Sequence, residues 1–252
     1  TNICNLNCVF CPKTTRAKHM LTLDEFGTLT THLQGKVKFL YFHLMGEPFL
    51  HPLLPQFMLM AREKGFIPVV TTNGTLLSQR TDLLDALPHK LQISLHSHEG
   101  NGKENIAQYM NEVMRFATEA AHRGCIVVLR LWNEGGNNRM NEAILNLIAQ
   151  HQPEPWGQRA DGWKLTENLF LENDNMFEWP DLEHAAYTED NVFCYALRNQ
   201  IGVLVDGTVV PCCLDHNGDL SLGNLYEQSL EHILASPRAQ ALYQGSTHHT
   251  AV

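Results

Sequence analysis

The chain predicts an α/β fold built on a parallel sheet, and three observations carry that reading. Short apolar runs rich in β-branched and aromatic residues alternate with longer stretches at helical spacing. The connections between them are short and polar, which favours parallel strands joined by right-handed crossovers. The residues richest in chemistry (Gly46, Glu47, Pro48, Asn73, His96 and Arg130) fall at the carboxyl ends of those strands. Ligands gather there in parallel α/β folds.

Each element has its own signal. Thr22-Leu23-Asp24-Glu25 is a capping box, so a helix begins at Leu23 and runs toward Gly35. Residues 37–43 are a short, largely apolar run suited to a buried strand, and they end in Met45-Gly46-Glu47-Pro48. A helix over 53–64 closes at Gly65, and a strand over 66–72 runs into the turn pair Asn73-Gly74. A helix over 78–87 then leads to a strand over 89–95. The helix over 103–122 sets Ile106, Tyr109, Met110, Val113, Met114 and Ala117 at helical spacing, and Gly124 stops it. A β-branched strand over 125–131, a helix over 140–150 and a sixth strand over 163–171 follow. Residues 172–190 are acidic and read as a linker. Two strand-like runs, 201–205 and 208–210, are joined by Asp206-Gly207, a strong hairpin signal, and the second delivers Pro211-Cys212-Cys213. A short helix is expected near 229–235.

At 252 residues the chain can bury a substantial core. Its composition, 44% hydrophobic and 18% charged, suits a soluble globular protein with no membrane partner. No run approaches the ~18 apolar residues of a membrane span, and no signal-peptide pattern opens the chain. A net charge of -9 and a pI near 5.8 argue against nucleic acid as the main partner. Seven cysteines without a secretory segment point to a reducing, cytoplasmic compartment, where such spacing means metal or catalysis. The chain opens on Thr1 almost on top of its first cysteine, which suggests a trimmed N-terminus with a strand expected before it. P-loop, G-x-G-x-x-G, G-x-S-x-G and H-E-x-x-H patterns are absent, so nucleotide hydrolysis, serine esterase chemistry and zincin-type sites lack support.

The most informative stretch is Cys4-x3-Cys8-x2-Cys11, with Phe10 before the third cysteine. A structural zinc site closes with four ligands, and no fourth lies nearby at C-x2-C or H-x3-H spacing. Three cysteines on a 4Fe–4S cluster leave one iron without a protein ligand, open to a small molecule. Zinc is the plainer alternative.

This motif resembles the signature of the radical S-adenosylmethionine (SAM) superfamily. The resemblance implies that the open iron is chelated by the amino and carboxylate groups of SAM. An electron from the cluster then cleaves the sulfonium to give a 5′-deoxyadenosyl radical that abstracts a substrate hydrogen. It also implies a partial (β/α)6 TIM-like barrel over residues 1–172, and an electron donor such as flavodoxin or ferredoxin. Met45-Gly46-Glu47-Pro48 resembles the family's GGEP motif, with Met in place of the first Gly. That match makes Gly46, Glu47 and Pro48 contacts of SAM, through backbone carbonyls and the Glu47 charge; a Gly/Pro turn after a strand is the structural alternative. Ser94 and His96, read as period-two neighbours on one strand face, resemble positions that bind the SAM ribose and carboxylate, against the alternative of satisfied core polars. Phe10 either stacks on adenine or plugs the loop against the barrel. Asn73 is a SAM contact or a turn residue. Arg130, inside an apolar strand, needs an anionic partner: the SAM carboxylate or a structural Asp or Glu.

Cys194 and Cys212, set around the Asp206-Gly207 hairpin, resemble the auxiliary-cluster domain of the SPASM/twitch subfamily, with Cys213 a further ligand candidate. Residues 173–252 then form a linker plus a small SPASM/twitch-like domain, truncated before its last cysteine pair, with an auxiliary 4Fe–4S cluster. Free buried cysteines are the alternative. The function implied is SAM-dependent radical chemistry on a peptide or protein. A small-molecule (sugar alcohol) dehydrogenase and a non-catalytic iron–sulfur or zinc protein are the other readings.

Overall fold

The structure, a computed structural model, describes residues 1–102, 105–180 and 194–248. Helix α1 (Leu23–Leu33) starts where the capping box places it. The Thr22 hydroxyl accepts from the Glu25 N–H at 3.2 Å, and the Glu25 carboxylate accepts from the Thr22 N–H at 2.7 Å. Strands β1 (Phe39–Phe42), β2 (Ile67–Thr72), β3 (Lys90–Ser94), β4 (Ile126–Glu134) and β7 (Leu169–Asn175) lie side by side in that order, all parallel. Helices α2 (Leu54–Glu63), α4 (Ile106–His122) and α5 (Asn141–His151) stand between them in the chain. The sheet is open, with β1 on one edge, as an incomplete barrel requires.

Register gives the sheet two different faces. Leu91, Ile93, Val127, Leu129 and Leu171 point one way and are fully buried, sharing one core with Met110, Val113, Met114 and Ala117 of α4. Each such side chain contributes about 1.5–3 kcal/mol on leaving water. The other face carries tiers of paired residues: Tyr41, Val69 and Lys90; then Thr71, Gln92, Val128 and Phe170; then Ser94, Arg130 and Glu172. Val69, Gln92 and Val128 are buried there too, so this face is an interior surface on which polar side chains are held.

Three expectations need correction. The helix over 78–87 is instead two 3-10 turns, Leu77–Gln79 and Thr81–Asp85. Leu77 and Leu83 both enter the core, and six residues apart they do not share one face of an α-helix. Arg80 between them donates to the carbonyls of Phe49 at 2.7 Å and His51 at 3.0 Å. The strand over 163–171 is two strands: β6 (Gly162–Thr166) turns at Asn168, whose φ is 61°, into β7. β6 pairs antiparallel with β7, and β5 (Gly157–Arg159) pairs antiparallel with β6. The linker begins later than 172, because β7 runs to Asn175; residues 181–190 of it lie outside the described residues.

The hairpin at Asp206-Gly207 forms as its turn pair predicts. Gly207 has φ +83°, and a side chain there would meet the Tyr226 ring at 2.5 Å. β8 (Gly202–Val203), β9 (Thr208–Val210) and β10 (Gly223–Asn224) make a small antiparallel sheet, followed by α6 (Leu230–Leu234) and α7 (Pro237–His248). Val209, Leu225 and Ile233 are fully buried and belong to the same apolar core as the large sheet's helices. No helix among the described residues is long and apolar enough to cross a membrane.

Candidate functional site

The cysteine loop crosses the carboxyl side of the sheet and is tied to the segments that follow β1, β2 and β3. The Ile3 carbonyl accepts from the Glu47 N–H at 2.8 Å. Gly46 has φ +93°, and a Cβ there would stand 2.4 Å from the Thr1 carbonyl oxygen, so only glycine lets the N-terminal segment pass this closely. Asn73, just past β2, donates from Nδ2 to Asn5 Oδ1 at 3.0 Å and accepts at Oδ1 from the Thr75 N–H at 2.9 Å. Its carbonyl accepts from the Tyr109 hydroxyl at 2.8 Å. Beyond β3, the Asn7 N–H donates to Asn101 Oδ1 at 2.7 Å and the Val9 N–H to the Gly100 carbonyl at 2.8 Å. Lys13 closes the loop, donating from Nζ to the carbonyls of Cys8 and Cys11.

Within this frame Cys4 is exposed, Cys11 half-buried and Cys8 buried. The Leu6 N–H points at Cys4 Sγ (3.4 Å), and Asn73 Nδ2 lies 3.9 Å from the same sulfur. The Cys8 thiol donates to the Ser97 carbonyl at 3.5 Å. Burial, then the neighbouring Cys4 and Cys11, pushes the Cys8 thiol up to about 11, and burial raises Cys4 as well. Such thiols stay protonated until a metal displaces the proton. Among the described residues no three His, Cys, Asp or Glu side chains converge on a point that could hold one metal ion. A 4Fe–4S cube takes its thiolates on different irons, so its ligands stand further apart than those of a single ion. Three soft thiols, with N–H groups aimed at one sulfur, fit such a cluster.

Glu47 does not offer its charge to the mouth of the sheet. Its carboxylate is buried and accepts from the Phe49 N–H (2.9 Å), the Thr72 hydroxyl (2.7 Å) and the Asn73 N–H (2.8 Å), joining the ends of β1 and β2. Burial pushes its carboxyl above the ordinary range, against these three donors. Pro48 opens the 3-10 turn Pro48–Leu50. Ser94 and His96 are not period-two neighbours. β3 ends at Ser94, whose carbonyl accepts from the Ser97 hydroxyl at 2.6 Å, and His96 opens the short helix α3 (His96–Gly100). The Trp132 N–H points at His96 Nδ1 (3.4 Å), and burial lowers this imidazole to about 4, so it is neutral at pH 7. Phe10 packs against α3: its ring centroid is 5.0 Å from that of His96, and Gly100 is the gap that admits it. Arg130 has Glu172 as its nearest anion, with Nε 3.7 Å from Oε2.

Lys13 stays with the cysteine loop, and the residues after it, Thr14 to Arg16, dock onto the C-terminal region. Arg16 pairs with Asp206 and donates to the Thr208 hydroxyl (2.8 Å) and the Asn217 carbonyl (3.1 Å). Thr14 and Thr15 donate to Asn217 Oδ1. The loop that follows Cys11 is thereby fastened to the β8–β9 hairpin and the segment beyond it. A cavity of about 150 Å³ lies at this seam, between α1, β1 and Val203–Val205. In the C-terminal region the Ala196 N–H points at Cys194 Sγ (3.4 Å), and the Leu197 N–H donates to the Pro211 carbonyl (3.2 Å), which brings Cys194's segment beside Cys212 and Cys213.

The sequence reading missed Asn5, Lys13, Asn101 and Tyr109 as supports of the loop. Asparagines within and beside a cysteine loop were the available signal.

The sequence profile of the radical SAM superfamily matches residues 1–148, and that of an iron–sulfur cluster-binding domain, SPASM, matches residues 194–251. The chain belongs to the radical SAM superfamily. Its members are enzymes, and its two matched domains imply 4Fe–4S clusters. A GTP 3′,8-cyclase of Chlorobaculum tepidum is 36% identical over 92 residues, which cover 33% of this chain and 27% of that protein. The match thus spans about a quarter of the relative's length. Among solved structures, BtrN in complex with AdoMet and 2-DOIA covers 98% of this chain at TM-score 0.57 and 19% identity, the match spanning 85% of BtrN. Native anSMEcpe with bound AdoMet and Kp18Cys peptide covers 98% at TM-score 0.67 and 14% identity, spanning 81% of that chain. Streptococcus suis SuiB covers 96% at TM-score 0.63 and 13% identity, spanning 65%. At these identities the structures establish the fold, a partial barrel with a SPASM region.

Proposed function

We propose that Cys4, Cys8 and Cys11 hold a 4Fe–4S cluster with one iron open to SAM, and that the protein uses it to modify a peptide or protein. The observation that carries this reading is the cysteine loop itself: three thiols in eight residues, pinned beyond the ends of β1 and β2 and to α3. When bound, the cluster and SAM supply a one-electron cleavage that yields a hydrogen-abstracting adenosyl radical. The chain's own residues position that chemistry. Gly46 keeps the backbone at the β1 end clear of side chains, Glu47, Pro48 and Asn73 hold that end in shape, and Phe10, Ser94 and neutral His96 line the adjoining wall. Cys194, Cys212 and Cys213 are proposed ligands of an auxiliary cluster, and the division between the two units, expected near residue 172, is placed just past the end of β7 at Asn175. A flavodoxin or ferredoxin in a reducing compartment is the proposed electron donor. The preference for a peptide rests on family analogy.

The test is anaerobic reconstitution with iron and sulfide, then dithionite and SAM. About eight irons per chain with 5′-deoxyadenosine released supports both clusters, and about four leaves the C-terminal cysteines structural. Bound zinc, no iron and no cleavage overturns the reading.

A further inference from the structure

Arg130 is unusual in what surrounds it. It sits on the interior face of the sheet, in the tier nearest the strand ends, beside Ser94 and Glu172. Its side chain is 14% exposed, yet among the described residues no hydrogen bond reaches its guanidinium, and the buried Nε has no partner. A buried guanidinium nitrogen without a hydrogen bond is costly, so its position needs a reason. The guanidinium lies over Trp132, with Cζ 4.0 Å from the ring centroid. Glu172 stands at 3.7 Å, too far for a hydrogen bond, and it also faces Lys90 at 4.0 Å. One carboxylate therefore serves two cations. Tyr41, exposed, lies on the same face of β1, and His43 follows that strand directly.

We propose that the Arg130 fork receives an oxyanion, a carboxylate or phosphate, carried by the substrate. A planar guanidinium offers two parallel N–H groups to such a group. This deepens the functional reading above and rests on it for the identity of the site. The oxyanion has a second possible source, the carboxylate of SAM, and the experiment separates the two.

The measurement is calorimetric titration of the iron-loaded chain with inorganic phosphate, before and after saturation with SAM. Arg130→Gln is the main variant, checked for iron content and circular dichroism. Saturable phosphate binding that survives SAM saturation, and that weakens about tenfold or more in Arg130→Gln while SAM affinity changes by less than about twofold, supports the proposal. Phosphate binding abolished by SAM, with SAM affinity falling about tenfold in the variant, assigns the fork to SAM and overturns it. No saturable phosphate binding, or equal binding by the variant, also overturns it. If Arg130→Gln does not fold, Glu172→Gln decides: removing the competing carboxylate should tighten phosphate about threefold or more, and weaker binding contradicts the proposal. The heat of phosphate binding needs no radical chemistry. A chain that fails to cleave SAM yet binds phosphate through Arg130 would therefore count against the enzyme reading alone.

Discussion

The two cysteine-bearing regions are built on different principles. The N-terminal loop is fastened by backbone and amide hydrogen bonds to the ends of β1, β2 and to α3, elements that grow out of a large buried sheet. The C-terminal cysteines flank a hairpin of two- and three-residue strands, and the nearby anchors to the barrel are Arg16, Thr14 and Thr15, which reach across to Asp206, Thr208 and Asn217. A frame supported by the main sheet holds its three cysteines in one loop. A small sheet joined through side chains gains order from its metal and from its neighbour. On the proposed function, the first site carries chemistry that needs fixed geometry, and the second is a support whose loss the first can survive.

Substitution of the cysteines presses hardest on that contrast. Cys8→Ser should remove about four irons per chain and lower 5′-deoxyadenosine formation about a hundredfold or more. Cys212→Ser should also cost about four irons while sparing much of the SAM cleavage measured without substrate. Equal loss of cleavage in both would erase the distinction.

The next largest effect is expected at Glu47. Glu47→Ala strands three donors where β1 and β2 meet and should cost about 3 kcal/mol in urea unfolding. Glu47→Gln tests the charge alone. The folded carboxyl titrates above its ordinary value because it is buried. Its favourable contribution is therefore complete below the ordinary glutamate range and declines as pH rises through the raised value. Urea midpoints of the wild type should fall over that window relative to the glutamine variant, and parallel curves would show that the three donors cancel the burial.

Gly46→Ala must move the Thr1–Asn2 segment or distort a φ of +93°, at about 2 kcal/mol, together with reduced iron loading of the N-terminal site. The smallest effect is expected at the seam. Arg16→Gln removes the pairing with Asp206 and the bonds to Thr208 and Asn217 at a partly exposed position, for about 1 kcal/mol. It should loosen the C-terminal unit, read as faster proteolysis there, without changing SAM cleavage.

Much of this was legible in the sequence because it depends on local patterns. The capping box fixed the start of α1, Asp206-Gly207 fixed the hairpin, and the apolar spacing of Met110, Val113, Met114 and Ala117 fixed the buried face of α4. What escaped depends on partners far away in the chain. The segment 78–87 has helical composition, but Arg80 is drawn to carbonyls some thirty residues earlier, and tertiary bonds outweigh weak propensity. His96 reads as a strand residue until Ser97 turns back on Ser94. Glu47 sits in a motif that suggests a ligand contact, yet its carboxylate is engaged by β2. Arg130 could be assigned a need for an anion from its apolar neighbours alone; that Glu172 stops short of a hydrogen bond could not.

The central claim is that three cysteines leave an iron open for SAM. The most direct measurement is electron–nuclear double resonance on the reduced, iron-loaded chain, with SAM labelled at its methionine nitrogen and carboxylate. Hyperfine coupling of both labels to the cluster spin is the predicted result. A reduced cluster that shows no coupling to either label, at SAM concentrations where binding is saturated, would contradict it.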